Sequence, residues 1–173
     1  MTTQALAVSH SSQVAEARRA VAGLAAGLRF DETDRGRAAI VVTELATNLV
    51  KHGGGGELLA AGFDDDTGAG LQLLALDKGQ GIARIDEALR DGFSSAGSAG
   101  QGLGAARRQS QAFDIASWPG KGTAVLARLR AGRHREEALD PPPTLAGLCV
   151  PKPGESVCGD DWWGVRLGDR IHL

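Results

Sequence analysis

Glu44, Asn48, Lys51 and His52 fall at spacings of four, three and one in the stretch "VVTELATNLVKHGGGG". Residues four apart on a helix share a face, so Glu44 and Asn48 project together. A side-chain amide oxygen is a hard ligand able to hold Mg²⁺, an ion that keeps several waters and binds through substrate phosphates. A lysine or an arginine can meet phosphate oxygens. Asp77 closes an apolar run and leads into "DKGQG", an Asp-x-Gly-x-Gly arrangement with Gly79 and Gly81. Its charge has the wrong sign for phosphate, but a carboxylate accepts a hydrogen bond from an exocyclic amine such as that of adenine. Thr123, in "GKGTAV", is placed to support that carboxylate. "GQGLG", Gly100 to Gly104, opens a helix, and free N–H groups at a helix start favour phosphate. Together these residues describe a nucleotide site with base, metal and phosphate contacts.

Taken singly, each piece has an ordinary explanation: a solvated helix stripe, a strand-to-turn junction, a glycine loop before a helix. Lys51 and His52 in a last turn are favoured by the helix dipole alone. The four pieces standing in one order are what carry the reading.

The elements that must position them follow from periodicity. "ALAV" reads as a short strand. A helix follows from Ser11 or Ser12 as N-cap, with Val14, Ala17, Val21, Leu24, Ala25 and Leu28 at three- and four-residue steps. Asp31 caps a second helix that runs to about His52 and ends at Gly53–Gly56. "ELLAAGF" and "LQLLALD" read as strands joined by a turn over "DDDTGAG". "RIDEALRD" reads as a short helix, and "GFSSAGSAGQG" as a loop. "LGAARRQSQAF" then reads as a helix, and "DIASW" and "TAVLARLR" as a hairpin about "PGKG". The charged, proline-ended stretch 131–144 is a linker, and residues 145–173 begin something new.

Composition narrows the classes. In 173 residues with a net charge of −2, no general attraction to nucleic acid or anionic membrane is implied. Aromatic content of 4% without tyrosine argues against stacked-base platforms. Cys149 and Cys158 give neither a disulfide framework nor zinc spacing, and read as inert thiols. Neither a signal peptide nor an apolar run of membrane-spanning length is evident, so a cytoplasmic protein is expected.

"ELATN", "DKGQGI", "GQGLGAARR" and "GKGT" resemble, in order, the N, G1, G2 and G3 boxes of the GHKL (Bergerat-fold) ATPases. With Glu44 in the first box, the chain is similar to the anti-sigma regulatory factor serine/threonine kinases of the RsbT/RsbW type, from about Ala5 to Arg130. The resemblance implies an α+β fold, a two-layer sandwich with a mixed sheet and helices on one face, spanning residues 1–130. It implies that Asn48 coordinates Mg²⁺, that Asp77 reads the adenine amino group with Thr123 assisting, and that Gly79 and Gly81 shape the wall against the base. Gly102, Leu103 and Gly104 would line the triphosphate, with Gly92 to Gly100 as an ATP lid. Glu44 would be the general base for a protein hydroxyl, and Lys51 and Arg107 would contact phosphate. The expected activity is Mg-ATP-dependent serine/threonine phosphorylation of a STAS-domain antagonist. The alternative is a nucleotide-dependent switch that binds a sigma factor or a phosphatase domain in cis; a homodimer is left open. "PKPGESVCGDDWWGVRLGDRIHL" resembles the first strands of a SpoIIE-type PPM phosphatase domain, with Asp160 at an early metal-ligand position. The remaining ligands of that family are not in the sequence, so a fragment of a longer kinase–phosphatase protein is expected.

Overall fold

The computed structural model describes residues 3–65, 68–89, 102–132, 165–167 and 170–172. Strand β1 (Gln4–Val8) leads into helix α1 (Ser11–Ala26) and helix α2 (Glu32–Lys51). Strands β2 (Gly56–Asp65) and β3 (Gly68–Asp77) form a hairpin. The short helix α3 (Ile85–Ala88) and helix α4 (Gly102–Gln109) precede a second hairpin, β4 (Ala112–Trp118) and β5 (Gly122–Arg130). β6 (Val165–Leu167) and β7 (Arg170–His172) pair with each other.

Five strands form one sheet in the order β1-β2-β3-β5-β4. The two-layer α+β sandwich is the expected architecture. The mixed sheet, however, is antiparallel at each of its four pairings. The reason is topological: the chain crosses over through α3 and α4, so β4 runs parallel to β3, but β5 folds back between them.

Strand alternation puts one row of side chains toward the helices. Leu58, Ala75 and Val125 stand opposite one another across three strands, as do Ala60, Leu73 and Ala127. All six are buried. Against them lie Ala17, Val21 and Ala25 of α1, Val41, Val42, Leu45 and Leu49 of α2, and Leu103 and Ala106 of α4. These spacings of three and four are the apolar stripes legible in the sequence. The helices thus cover one face of the sheet.

Local chemistry sets the element ends. Asp31 caps α2 as expected, its Oδ1 accepting the Asp34 N–H at 2.7 Å. Neither Ser11 nor Ser12 caps α1. The cap is His10, because Gln13 Oε1 reaches back to the N–H groups of Ser9 (2.8 Å) and His10 (3.0 Å) and starts the helix earlier. The β2–β3 turn is shorter than expected, since Asp64, Asp65 and Gly68–Gly70 continue the ladder. α4 ends at Gln109 rather than running on to Phe113. Ser110 Oγ closes onto the Ala106 carbonyl at 2.8 Å, and the Gln111 N–H turns to the Arg128 carbonyl at 2.9 Å.

A buried ion pair ties three element ends together. Asp34, 1% exposed, holds Arg37 Nη1 at 3.3 Å and accepts the Gly132 N–H at 2.8 Å. Arg37 donates through Nε (3.3 Å) and Nη2 (2.8 Å) to the Gln109 carbonyl. The start of α2 thereby fixes both the end of α4 and the exit from β5.

The lid segment Gly92–Gly100, the linker beyond Gly132, Cys149, Cys158, Asp160, Trp162 and Trp163 lie outside the described residues. Among the described residues no helix is long and apolar enough to cross a membrane.

Candidate functional site

β3 ends at Asp77 directly opposite Thr123, the second residue of β5. The row that carries Ala75 and Val125 continues through this pair, so both side chains point to the helix-covered face beyond the end of the core. There the polypeptide leaves a cavity of about 500 Å³, within the size range of small-molecule sites. Its walls bring together elements far apart in the chain. Glu44, Asn48 and Lys51 come from α2, Asp77 from β3, Gly81 from the following loop, Gly102 and Leu103 from α4, and Thr123 from β5.

The close fit around Asp77 explains the glycines. Asp77 Oδ1 accepts the Gly79 N–H at 2.8 Å, folding the loop back on the carboxylate. A Cβ on Gly79 would stand 2.6 Å from the His52 carbonyl oxygen and 2.8 Å from Gly53 Cα, both backbone atoms. Gly122, at φ +111°, lies against the Asp77 carbonyl. Gly79 thus acts from behind Asp77, letting the end of α2 approach, rather than as cavity wall; Gly81 does line the cavity.

Glu44 is half-buried, and burial raises its carboxyl above the ordinary value, while the Lys51 ammonium about two turns on lowers it again. A carboxylate raised in this way is a better proton acceptor than a solvated one. Among the described residues, Asn48 Nδ2 is buried without a hydrogen-bond partner. Because amide N and O are assigned rather than observed, the buried terminus of this amide is a polar group awaiting a partner from the cavity. Among the described residues no group of three or more His, Cys, Asp or Glu could hold a metal by itself. That donor set does not build a resident metal site, but it suits Mg²⁺ carried in on phosphate with one amide ligand.

At the opposite wall, α4 directs its first turn, Gly102 and Leu103, into the cavity. The N–H groups and positive dipole end of a helix's first turn favour phosphate. Gly104 is buried beneath. Arg107 is not brought to the cavity: it is exposed on the last turn of α4, about 7.5 Å along the axis from Gly102. Gly100 lies outside the described residues.

His52, which the helix dipole alone would explain, also lines the cavity. Some contributors have no sequence signal of their own: Thr47, Gln80, Ile82, Arg84 and Glu87 line it too, and Arg84 and Glu87 pair at 2.7 Å on its rim. Thr123 differs from expectation in its partner. No hydrogen bond joins it to Asp77; its hydroxyl lies 2.8 Å from Ser117 Oγ on β4.

A cavity with these walls matches a known fold family. Residues 8–129 match the histidine kinase-like ATPase domain. The chain belongs to that family. The matched span runs from the end of β1 to the end of β5 and so contains every wall of the cavity. The chain is also 32% identical over 114 residues to "Serine/threonine-protein kinase RsbT" of Bacillus subtilis (strain 168), covering 66% of this chain and 86% of that protein.

Proposed function

We propose that this domain binds Mg-ATP and transfers its γ-phosphoryl group to a serine or threonine hydroxyl of a STAS-domain antagonist protein, as an anti-sigma-type kinase in a partner-switching pathway. The observation that carries the reading is that Glu44, Asn48, Asp77, Thr123 and the first turn of α4 line one cavity. The family match and the likeness to a serine/threonine-protein kinase support it.

The residues divide the work. Asp77 receives the 6-amino group of adenine, and the N–H groups of Gly102 and Leu103 meet the phosphates. Asn48 would supply an amide oxygen to a Mg²⁺ accompanying the nucleotide, which would neutralise phosphate charge. Lys51, at the cavity edge, adds positive charge. Glu44, one turn before Asn48 on the same face, takes the proton from the incoming hydroxyl. Phosphoryl transfer asks for positioning and charge neutralisation above all, and this arrangement provides both.

The second reading is a switch module in which nucleotide alters affinity for a protein partner without transfer. The half-exposed position of Glu44 is compatible with it, because a general base must be matched by a bound acceptor.

The deciding experiment uses labelled ATP, a STAS-domain protein and the chain with and without Glu44→Ala. Phosphoprotein formed by the wild type and lost in the variant, with ATP affinity retained in both, supports the kinase. ATP binding that shifts partner affinity without any phosphoprotein supports the switch. Absence of Mg-ATP binding by calorimetry removes the nucleotide reading itself, and binding unchanged in Asp77→Ala removes the assignment of the base to Asp77.

A further inference from the structure

Ser117 sits behind the base end of the cavity and does not line it, yet it holds two residues that do, Ile82 and Thr123, and reaches the carbonyl of Gly122. Its Oγ accepts the N–H of Ile82 at 2.7 Å, lies 3.1 Å from the Gly122 carbonyl and lies 2.8 Å from Thr123 Oγ1. A hydroxyl has one proton and two lone pairs. A carbonyl can only accept, so the contact to Gly122 requires the Ser117 proton. One lone pair of Ser117 already serves Ile82. The remaining lone pair then receives the proton of Thr123. This is the one assignment that satisfies all three contacts together. Reversing the Ser117–Thr123 bond would take the Ser117 proton away from the Gly122 carbonyl.

The consequence falls on Thr123. With its own proton committed to Ser117, its hydroxyl offers lone pairs to the cavity. Asp77, opposite it in the sheet register, offers carboxylate oxygen. Two acceptors side by side match an amino group, which has two N–H bonds. They oppose a keto oxygen, which would bring a third acceptor to the same place.

We propose that Ser117 is a positioning residue that fixes the proton direction of the Ser117–Thr123 pair, and thereby makes the site select a purine bearing an amino rather than a keto group at C6. This rests on the nucleotide reading above. Ser117 also anchors the loop after Gly81 through Ile82, so it ties the base wall formed by that loop to the β4–β5 hairpin.

The test compares ATP with ITP, which differ at C6 and in the protonation of N1. Affinities of both, as magnesium complexes, are measured calorimetrically on the whole chain. The wild type is expected to prefer ATP. In Ser117→Ala the Thr123 hydroxyl is free to turn and donate to a keto oxygen, so the preference should narrow by about tenfold, the equivalent of one hydrogen bond. Ser117→Thr keeps the hydroxyl and should restore the wild-type ratio. Thr123→Val should narrow the ratio too, and adding Ser117→Ala to it should change nothing more. If Ser117→Ala does not fold, Thr123→Val reads the same ratio with Ser117 in place. Equal losses for ATP and ITP in the Ser117 and Thr123 variants would mean a purely structural role and would overturn the proposal. A wild type that binds neither nucleotide would overturn the nucleotide reading and this inference with it. A wild type that binds both equally would overturn the base selectivity alone.

Discussion

Asp77 and Thr123 form the last register pair of β3 and β5 and continue the row of Ala75 and Val125 out of the core. The proposed base contact is therefore an extension of the packed sheet, not a feature of a loop. Strain introduced behind this pair should reach the ligand directly.

Gly79→Ala tests that link. The added methyl would stand 2.6 Å from the His52 carbonyl oxygen and 2.8 Å from Gly53 Cα, and backbone has little room to yield. Either the α2 end or the Asp77 loop must shift. The expected result is a loss of about 1–3 kcal/mol in stability, typical of overpacking, with Mg-ATP affinity reduced as well. Urea unfolding and calorimetry on the same preparation check it. Wild-type stability and affinity would mean that the loop is not clamped against α2.

Asn48 leads to a prediction about metal removal. Its buried amide terminus lacks a partner among the described residues. If its oxygen serves the Mg²⁺ of the nucleotide, chelation with EDTA should weaken ATP binding to the wild type about as much as Asn48→Ala does with Mg²⁺ present. In the variant, EDTA should add little. A full second loss on chelation would place the metal on other groups.

Glu44 leads to two pH predictions. Burial raises its carboxyl above the ordinary 4.5, and Lys51 lowers it part of the way back. The folded chain holds this proton more tightly than the unfolded chain. The stabilisation is present below pH 4.5 and is lost as pH rises through the folded value. Glu44→Gln, uncharged throughout, should therefore be more stable than wild type at neutral pH and lose that advantage in acid. The gain should stay below about 1 kcal/mol, since solvent screens a half-exposed group. If Glu44 accepts the substrate proton, transfer falls on the acid side as the carboxyl protonates. Lys51→Ala removes the charge that lowers it, so that limb should move to higher pH. Thermal melts across pH and a pH–rate profile check the two predictions, and an acid limb unmoved by Lys51→Ala would remove the electrostatic link.

How much of this was legible in the sequence depended on how local its cause was. Asp31 was readable as a cap because its partner is three residues away, and the α2 stripe was readable because helical periodicity alone produces it. That Asn48, Asp77 and Gly102 would line one cavity was readable because each stands at an element end with characteristic neighbours. Arg107 was placed wrongly in space because motif adjacency does not reveal which turn of a helix a residue occupies. Ser117 was invisible because its role depends on the register that pairs it with Thr123. The ion pair at the start of α2 was equally hidden: Asp34 and Arg37 look like solvated charges of the first two turns, and their partners are backbone groups 98 and 72 residues away.

That ion pair gives the largest expected effect on stability. Asp34 Oδ1 faces Arg37 and Oδ2 accepts the Gly132 N–H, while Arg37 fixes the end of α4 through the Gln109 carbonyl. Removing one partner of a buried pair leaves the other charge uncompensated, at about 3–5 kcal/mol. Asp34→Ala should therefore approach the whole stability of a marginal domain. Asp34→Asn keeps the shape and an acceptor for Gly132 but not the charge, and should fall between the two. Since α4 also carries the cavity's phosphate-facing first turn, Asp34→Asn should weaken Mg-ATP binding without any contact to the nucleotide. Urea midpoints for the three chains, with ATP affinity measured on those that fold, check both statements. Stability within 1 kcal/mol of wild type in Asp34→Ala would show that water reaches Arg37 and that the end of α4 does not depend on the pair.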